Sequence, residues 1–212
     1  MNLEIETEHG PVPATVTGTG GVGVLLAHGA GAPQDHPWMT GMRDRLVDRG
    51  LAVMTFNYAY TAQGRKAPDR LPKLLDVHEA AARSFAPRVD RLVLAGKSMG
   101  GRVSGHLASE RDVAAEGLVY FGYPLVAMGK TDPRPTPHLD TLATPQLFVS
   151  GDRDRLGPIS LIEELGARVP NGSVVVIEGG DHSFVPLKST GRTVDDSLDA
   201  AADAAAGWIS AL

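Results

Sequence analysis

Leu92-Val93-Leu94-Ala95-Gly96-Lys97-Ser98-Met99-Gly100-Gly101-Arg102 is an apolar run that reaches a serine set among glycines and then continues as a helix-like sequence. It reads as a buried strand, a sharp turn and a helix. Gly96 to Gly100 fits G-x-S-x-G, in which small flanking residues let the backbone bend tightly enough to hold a serine hydroxyl exposed on a strained turn. That is how a nucleophile is presented. The same residues also fit a glycine-rich turn whose serine merely caps the following helix, so the rest of the chain has to decide between the two.

Upstream, residues 3–7 and 12–17 alternate apolar and polar around the turn-forming Gly10-Pro11 and predict an antiparallel hairpin at a sheet edge. Residues 22–27, 51–56, 91–95, 117–121, 146–150 and 173–177 are short apolar runs rich in aliphatic and β-branched side chains, the pattern of strands covered on both faces. Between them, residues 38–49, 71–85, 99–109 and 159–169 carry helical periodicity, and an alanine-rich helix is expected over 194–211. The stretches 57–70 and 123–137 read as loops. Strands alternating with helices predict right-handed crossovers and a mostly parallel sheet with helices on both faces. The fold class expected is therefore α/β, in one domain spanning residues 1–212. In such sheets ligands bind beyond the carboxyl ends of the strands.

Composition narrows the function classes. A chain of 212 residues with 42% hydrophobic and 21% charged residues is ordinary for a globular protein, and a net charge of −5 gives no electrostatic reason to expect nucleic acid or an anionic membrane as partner. There is no cysteine, which excludes disulfides and thiolate chemistry. The N-terminus carries carboxylates where a signal peptide would carry lysine or arginine, and no apolar run approaches the ~20 residues of a membrane span. A cytoplasmic location is expected, with a small molecule as partner and the oligomeric state left open.

Three loops at predicted strand ends carry the side chains that acyl transfer needs. Ser98 follows one strand, Asp154 lies in Gly151-Asp152-Arg153-Asp154 after the next to last, and His182 lies in Gly179-Gly180-Asp181-His182 after the last. A serine hydroxyl needs a neutral imidazole to take its proton, and the imidazole needs a carboxylate to fix its tautomer and balance its charge. Asp154 is the preferred acid. Asp181 adjoins His182 and would point away from it on an extended loop, and Asp152 remains the rival. An oxyanion would find backbone N–H donors at Met99 and in His28-Gly29-Ala30-Gly31, from Ala30 or alternatively Gly31. His28 itself is expected to hold that loop by a hydrogen bond.

Together, His28-Gly29-Ala30-Gly31, Gly96-Lys97-Ser98-Met99-Gly100-Gly101, Gly151-Asp152-Arg153-Asp154 and Gly179-Gly180-Asp181-His182 resemble the α/β-hydrolase superfamily, whose triads run serine, acid, histidine along the chain. In size the chain is similar to the short dienelactone-hydrolase-like branch, and the resemblance runs from about Val22 to Leu212. It implies that Ser98, Asp154 and His182 form a triad. Dienelactone hydrolases proper use a cysteine nucleophile, so their substrate is not carried over. The segment before Gln146 is too short for the helical lid of many lipases, which implies an open site.

The expected activity is that of a serine hydrolase cleaving a small ester or related acyl bond, with no cofactor. A non-catalytic member of the same fold, or an acyltransferase or thioesterase, would share these residues. Tyr58, Tyr123 and His36 are candidate walls of the substrate pocket, with Tyr60 and His138 at the same edge and packing an equal reading for each. No histidines show an HExxH-like or i, i+4 spacing, so no metal site is expected.

Overall fold

The structure is a computed structural model that describes residues 1–212. The chain begins with β1 (Asn2–Ile5) and β2 (Val12–Thr17), paired antiparallel with Ile5 opposite Val12. β3 (Val22–Ala27) leads to α1 (Pro37–Asp48), β4 (Ala52–Phe56), the one-turn α2 (Ala59–Ala62) and α3 (Leu71–Phe85). Then follow β5 (Arg91–Lys97), α4 (Met99–Glu110), β6 (Gly117–Phe121) and the one-turn α5 (Pro137–Asp140). β7 (Gln146–Gly151), α6 (Ile159–Arg168), β8 (Gly172–Ile177) and α7 (Val194–Ser210) complete the chain. The strands form one eight-stranded sheet in the order β1-β2-β4-β3-β5-β6-β7-β8. β3 to β8 run parallel, and β2 joins them antiparallel along β4.

The period of two within each strand builds two cores. On β3, Leu25 and Ala27 face one side with Leu92 and Leu94 of β5, packed under α3, α4 and α6 through Leu75, Phe85, Val103 and Ile162. Val24 and Leu26 face the other side with Val93 and Ala95, packed under α1 and α7 through Met42, Leu46, Ala201 and Ile209. Full burial of such aliphatic side chains is worth about 1.5–3 kcal/mol each, so a slip by one residue, which would exchange the faces, is strongly disfavoured.

Local signals set the helix starts. Pro37 occupies the first turn of α1, where His36 Nδ1 accepts the Trp38 N–H at 3.2 Å. α7 begins with a reciprocal capping box between Thr193 and Asp196.

Two details differ from the sequence expectations. β5 continues two residues past Ala95, because Gly96 still pairs with Ala27 and Tyr120, and Lys97 with Phe121. The loop expected over 57–70 contains a short helix, α2, and the one expected over 123–137 runs into another, α5, each of a single turn and so carrying no periodicity to read.

Gly96 shows why the turn needs a residue without a Cβ. An added Cβ would lie 2.2 Å from the Gly100 carbonyl carbon and the Gly101 nitrogen. Gly96→Ala is therefore expected to destabilise the fold by about 3 kcal/mol or more, at the upper end of overpacking costs because the obstacle is backbone. Gly207, on the exposed face of α7, meets nothing, and Gly207→Ala should stabilise by about 0.4–1 kcal/mol. Urea unfolding of the two variants checks the opposite signs.

Candidate active site

Ser98, Asp154 and His182 meet at the carboxyl edge of the sheet. β5 ends at Lys97, and Ser98 turns the chain into α4 with φ 52° and ψ −115°, a left-handed conformation uncommon for a side-chain-bearing residue. The Ser98 N–H donates to the Phe121 carbonyl at 3.0 Å, which ties the strained turn to β6. Its hydroxyl makes no capping bond to α4. It lies instead 2.9 Å from His182 Nε2.

His182 sits on the loop after β8 and Asp154 on the loop after β7. His182 Nδ1 lies 2.7 Å from Asp154 Oδ2. With the proton on Nδ1 donated to this carboxylate, Nε2 is left to accept from the Ser98 hydroxyl. Asp154 Oδ1 accepts the Leu156 N–H at 2.7 Å, so both carboxylate oxygens are engaged although the side chain is fully buried. Burial opposes its ionisation, but the bonds from His182 and Leu156 and the charge of Lys97 prevail and hold the carboxyl below its ordinary range. Asp152 is exposed and makes no side-chain hydrogen bond. Asp181 Oδ1 accepts the N–H groups of Ser183 and Val185 at 2.8 and 3.0 Å, shaping the turn that presents His182.

Met99 and Ala30 line the same cleft as Ser98, and each carries a backbone N–H without a partner. Met99 opens α4, where an N–H has no carbonyl of its own helix to reach. The Ala30 N–H makes no hydrogen bond within the protein, whereas the Gly31 N–H donates to the Tyr60 hydroxyl at 3.2 Å. His28 is buried beneath this loop: its Nδ1 bonds the Gly29 carbonyl at 2.7 Å and its Nε2 accepts the Tyr58 N–H at 3.2 Å. Desolvation lowers its pKa to about 4, so the ring is a neutral brace for the loop.

A cleft of about 320 Å³ opens over Ser98 and His182, walled by Ala30, His36, Trp38, Met39, Met128 and Leu156. His36 lines it. Tyr58 and Tyr123 do not: both are buried core side chains, Tyr58 bonded to His78 Nδ1 at 3.1 Å and Tyr123 packed on Tyr120 and Phe148. Each follows a strand end where the chain turns back over the sheet, at Tyr123 through Gly122 with φ 64°, so the ring points inward. Tyr60 is likewise buried, and His138 stacks on His106 with ring centroids 3.6 Å apart. No group of three or more His, Asp or Glu side chains is disposed to hold a metal ion.

Lys97, in the variable position of the G-x-S-x-G motif, is a feature that sequence reasoning passed over. Its Nζ donates to the His182 carbonyl at 2.5 Å and lies 5.6 Å from the Trp38 ring centroid and 6.0 Å from that of Phe184. Desolvation lowers its pKa from 10.5 to about 8, against the opposing charges of Asp154 and Asp181. Between pH 8 and 10.5 the unfolded chain therefore binds more protons at this position than the folded one, and stability rises with pH across that window. The unfolding free energy of the parent relative to Lys97→Met is expected to increase from pH 8 to 10.5 and to level off above it. Chemical denaturation at a series of pH values reads this difference.

The fold and the site define an α/β hydrolase, and comparison with known proteins agrees. Residues 21–210 match the family described as "Alpha/beta hydrolase domain". The chain is 31% identical over 145 residues, 64% of its length and 54% of the relative's, to a pimeloyl-[acyl-carrier protein] methyl ester esterase of Xanthomonas campestris pv. campestris. The match thus spans about half the length of that relative. Among solved structures, a lid-less α/β serine hydrolase of Xanthomonas campestris superposes with TM-score 0.75 at 20% identity, covering 98% of this chain and 94% of that one. A dienelactone hydrolase of Anabaena variabilis gives TM-score 0.74 at 19% identity, covering 98% and 95%. This chain belongs to the alpha/beta hydrolase domain family. Its connection from β6 to β7 carries only the single turn α5, so no helical lid covers the cleft, and no helix is long and apolar enough to cross a membrane.

Proposed function

We propose that this chain is a serine hydrolase, carboxylesterase-like, that cleaves a small ester or related acyl bond through an acyl-enzyme. The observation that carries the reading is the relay from Ser98 Oγ through His182 to Asp154, at 2.9 and 2.7 Å, on the strained turn at the centre of the sheet. The name of the curated relative, an ester hydrolase, supports the same class of bond.

In this reading Ser98 Oγ attacks the substrate carbonyl carbon while its proton passes to His182 Nε2. Asp154 holds the tautomer and stabilises the imidazolium. The tetrahedral oxyanion is met by the N–H groups of Met99 and Ala30; Ala30 is preferred over Gly31 because the Gly31 donor is already engaged by Tyr60. His182 then returns the proton to the departing alkoxide, leaving Ser98 acylated. Water, deprotonated by His182, attacks the acyl carbon, and Ser98 recovers the proton as the acid leaves. No cofactor takes part. The working unit is one domain, residues 1–212, acting on a small molecule from solution in the cytoplasm.

Purified protein mixed with short-chain 4-nitrophenyl esters is expected to release nitrophenol well above the uncatalysed rate. Acetyl to hexanoyl esters all hydrolysed at the background rate would contradict the proposal.

A further inference from the structure

A second arm of the cleft opens at Ser98 and does not include Trp38 in its wall. It encloses about 310 Å³ between apolar walls, Pro68, Pro124, Val126 and Leu156 among them, and its cationic side chains are Arg102 and Arg134. Arg102 stands one helical turn after Ser98 on α4, so it shares the face that meets the substrate. Arg134 arrives from the β6–β7 connection, its backbone N–H fastened to the Leu125 carbonyl at 2.7 Å.

Both side chains line this one arm, and both charges reach the buried Tyr123 hydroxyl, where desolvation raises the pKa and Arg102 and Arg134 oppose that rise.

Their lack of partners is informative. Arg45, Arg49, Arg65, Arg83 and Arg111 each hold a carboxylate. The side chains of Arg102, half-buried, and Arg134, exposed, make neither an ion pair nor a hydrogen bond; Arg70 and Arg155 are unpaired too, but of these four only Arg102 and Arg134 line the arm beside Ser98. No Asp or Glu lines either arm, and the first arm adds Lys97. An acidic protein has thus kept carboxylates out of its cleft and left two forked donors open at one end of it, an arrangement that selects anions.

We propose that Arg102 and Arg134 form a subsite for an anionic group, a carboxylate or a phosphate, at the end of an aliphatic segment of the ester substrate. The aliphatic part would lie along Val126, Met128 and Leu156, between the scissile carbonyl at Ser98 and the guanidiniums. The inference rests on the hydrolase reading of Ser98 and adds the substrate class.

The test compares ethyl hydrogen glutarate with its neutral isostere, ethyl 4-carbamoylbutanoate. In the parent, kcat/KM for the carboxylate ester is expected to exceed that for the amide by about tenfold or more at low salt, and less at high salt. In Arg134→Gln and Arg102→Gln the ratio is expected to fall toward one. Calorimetry with the Ser98→Ala chain, which cannot turn the esters over, should show the same preference as a ratio of Kd values. Inorganic phosphate and acetate as competitors tell the anion classes apart: the one that raises the apparent KM at the lower concentration names the group. Equal use and equal binding of acid and amide, or a preference that survives both arginine substitutions, would overturn the subsite while leaving hydrolysis intact. If no ester is hydrolysed but the Ser98→Ala chain still prefers the carboxylate, the subsite stands and the hydrolase reading fails.

Discussion

Ser98→Ala is expected to lower kcat on short-chain esters by roughly 10⁵–10⁶-fold, to the level left by binding and oxyanion stabilisation alone. The residue holds φ 52° without help from its side chain, which makes no cap to α4, and its N–H bond to Phe121 is backbone. An alanine can therefore occupy the same turn. The loss should appear in turnover with the fold intact, and unfolding curves of parent and variant should agree within about 1 kcal/mol, the worth of the lost hydroxyl–imidazole bond. His182→Ala should reduce the rate by a similar factor, and the double variant little further, because the two groups act in one proton transfer. Stopped-assay rates and denaturation on the same preparations separate a chemical loss from a structural one.

Asp154→Asn is expected to cost about 10⁴-fold in kcat, while Asp152→Asn stays within about twofold of the parent. An amide at position 154 can present its NH₂ to His182 Nδ1, favouring the tautomer that places the proton on Nε2 and points a donor at the serine. The carboxylate does the opposite, accepting from Nδ1 at 2.7 Å. Asp154 also contributes to stability, since its folded pKa lies below the ordinary 3.8: that contribution is present above pH 3.8 and is lost as pH falls through the lower folded value. The Asn variant should lack this part of the acid dependence. Equal rates for the parent and Asp154→Asn would remove Asp154 from the proposed relay.

Much of this arrangement is legible in the sequence because the physics behind it is local. Buried parallel strands must be continuous apolar runs, so β3, β5 and β6 stand out, and the backbone crowding at Gly96 demands the glycine that marks the turn. Ser98, Asp154 and His182 could be brought together on paper because each follows a strand of the same parallel sheet. Spacing alone left Asp152 and Asp154 as rivals, since choosing between them needs the loop's three-dimensional course, fixed by the Leu156 N–H bond and by Gly151 lying against the Gly180 carbonyl.

The cleft walls were less legible. Tyr58 and Tyr123 carry polar tips at loop positions, yet their rings fill the core, because a loop crossing the sheet edge can bury a side chain with no periodic signature. Lys97 hides in a strand position where charge is not expected, and it is tolerable there because one carbonyl and two aromatic faces receive the ammonium. Arg102 could have been found by its spacing from Ser98, while Arg134 reaches the cleft from a proline-rich connection that no pattern places.

The central claim, that Ser98 is an activated nucleophile, is tested most directly by intact-mass spectrometry after treatment with a fluorophosphonate. One adduct per chain, mapped to Ser98 and absent from Ser98→Ala and His182→Ala, is the expected result. A folded protein that remains unmodified, or is modified equally in all three forms, would contradict it.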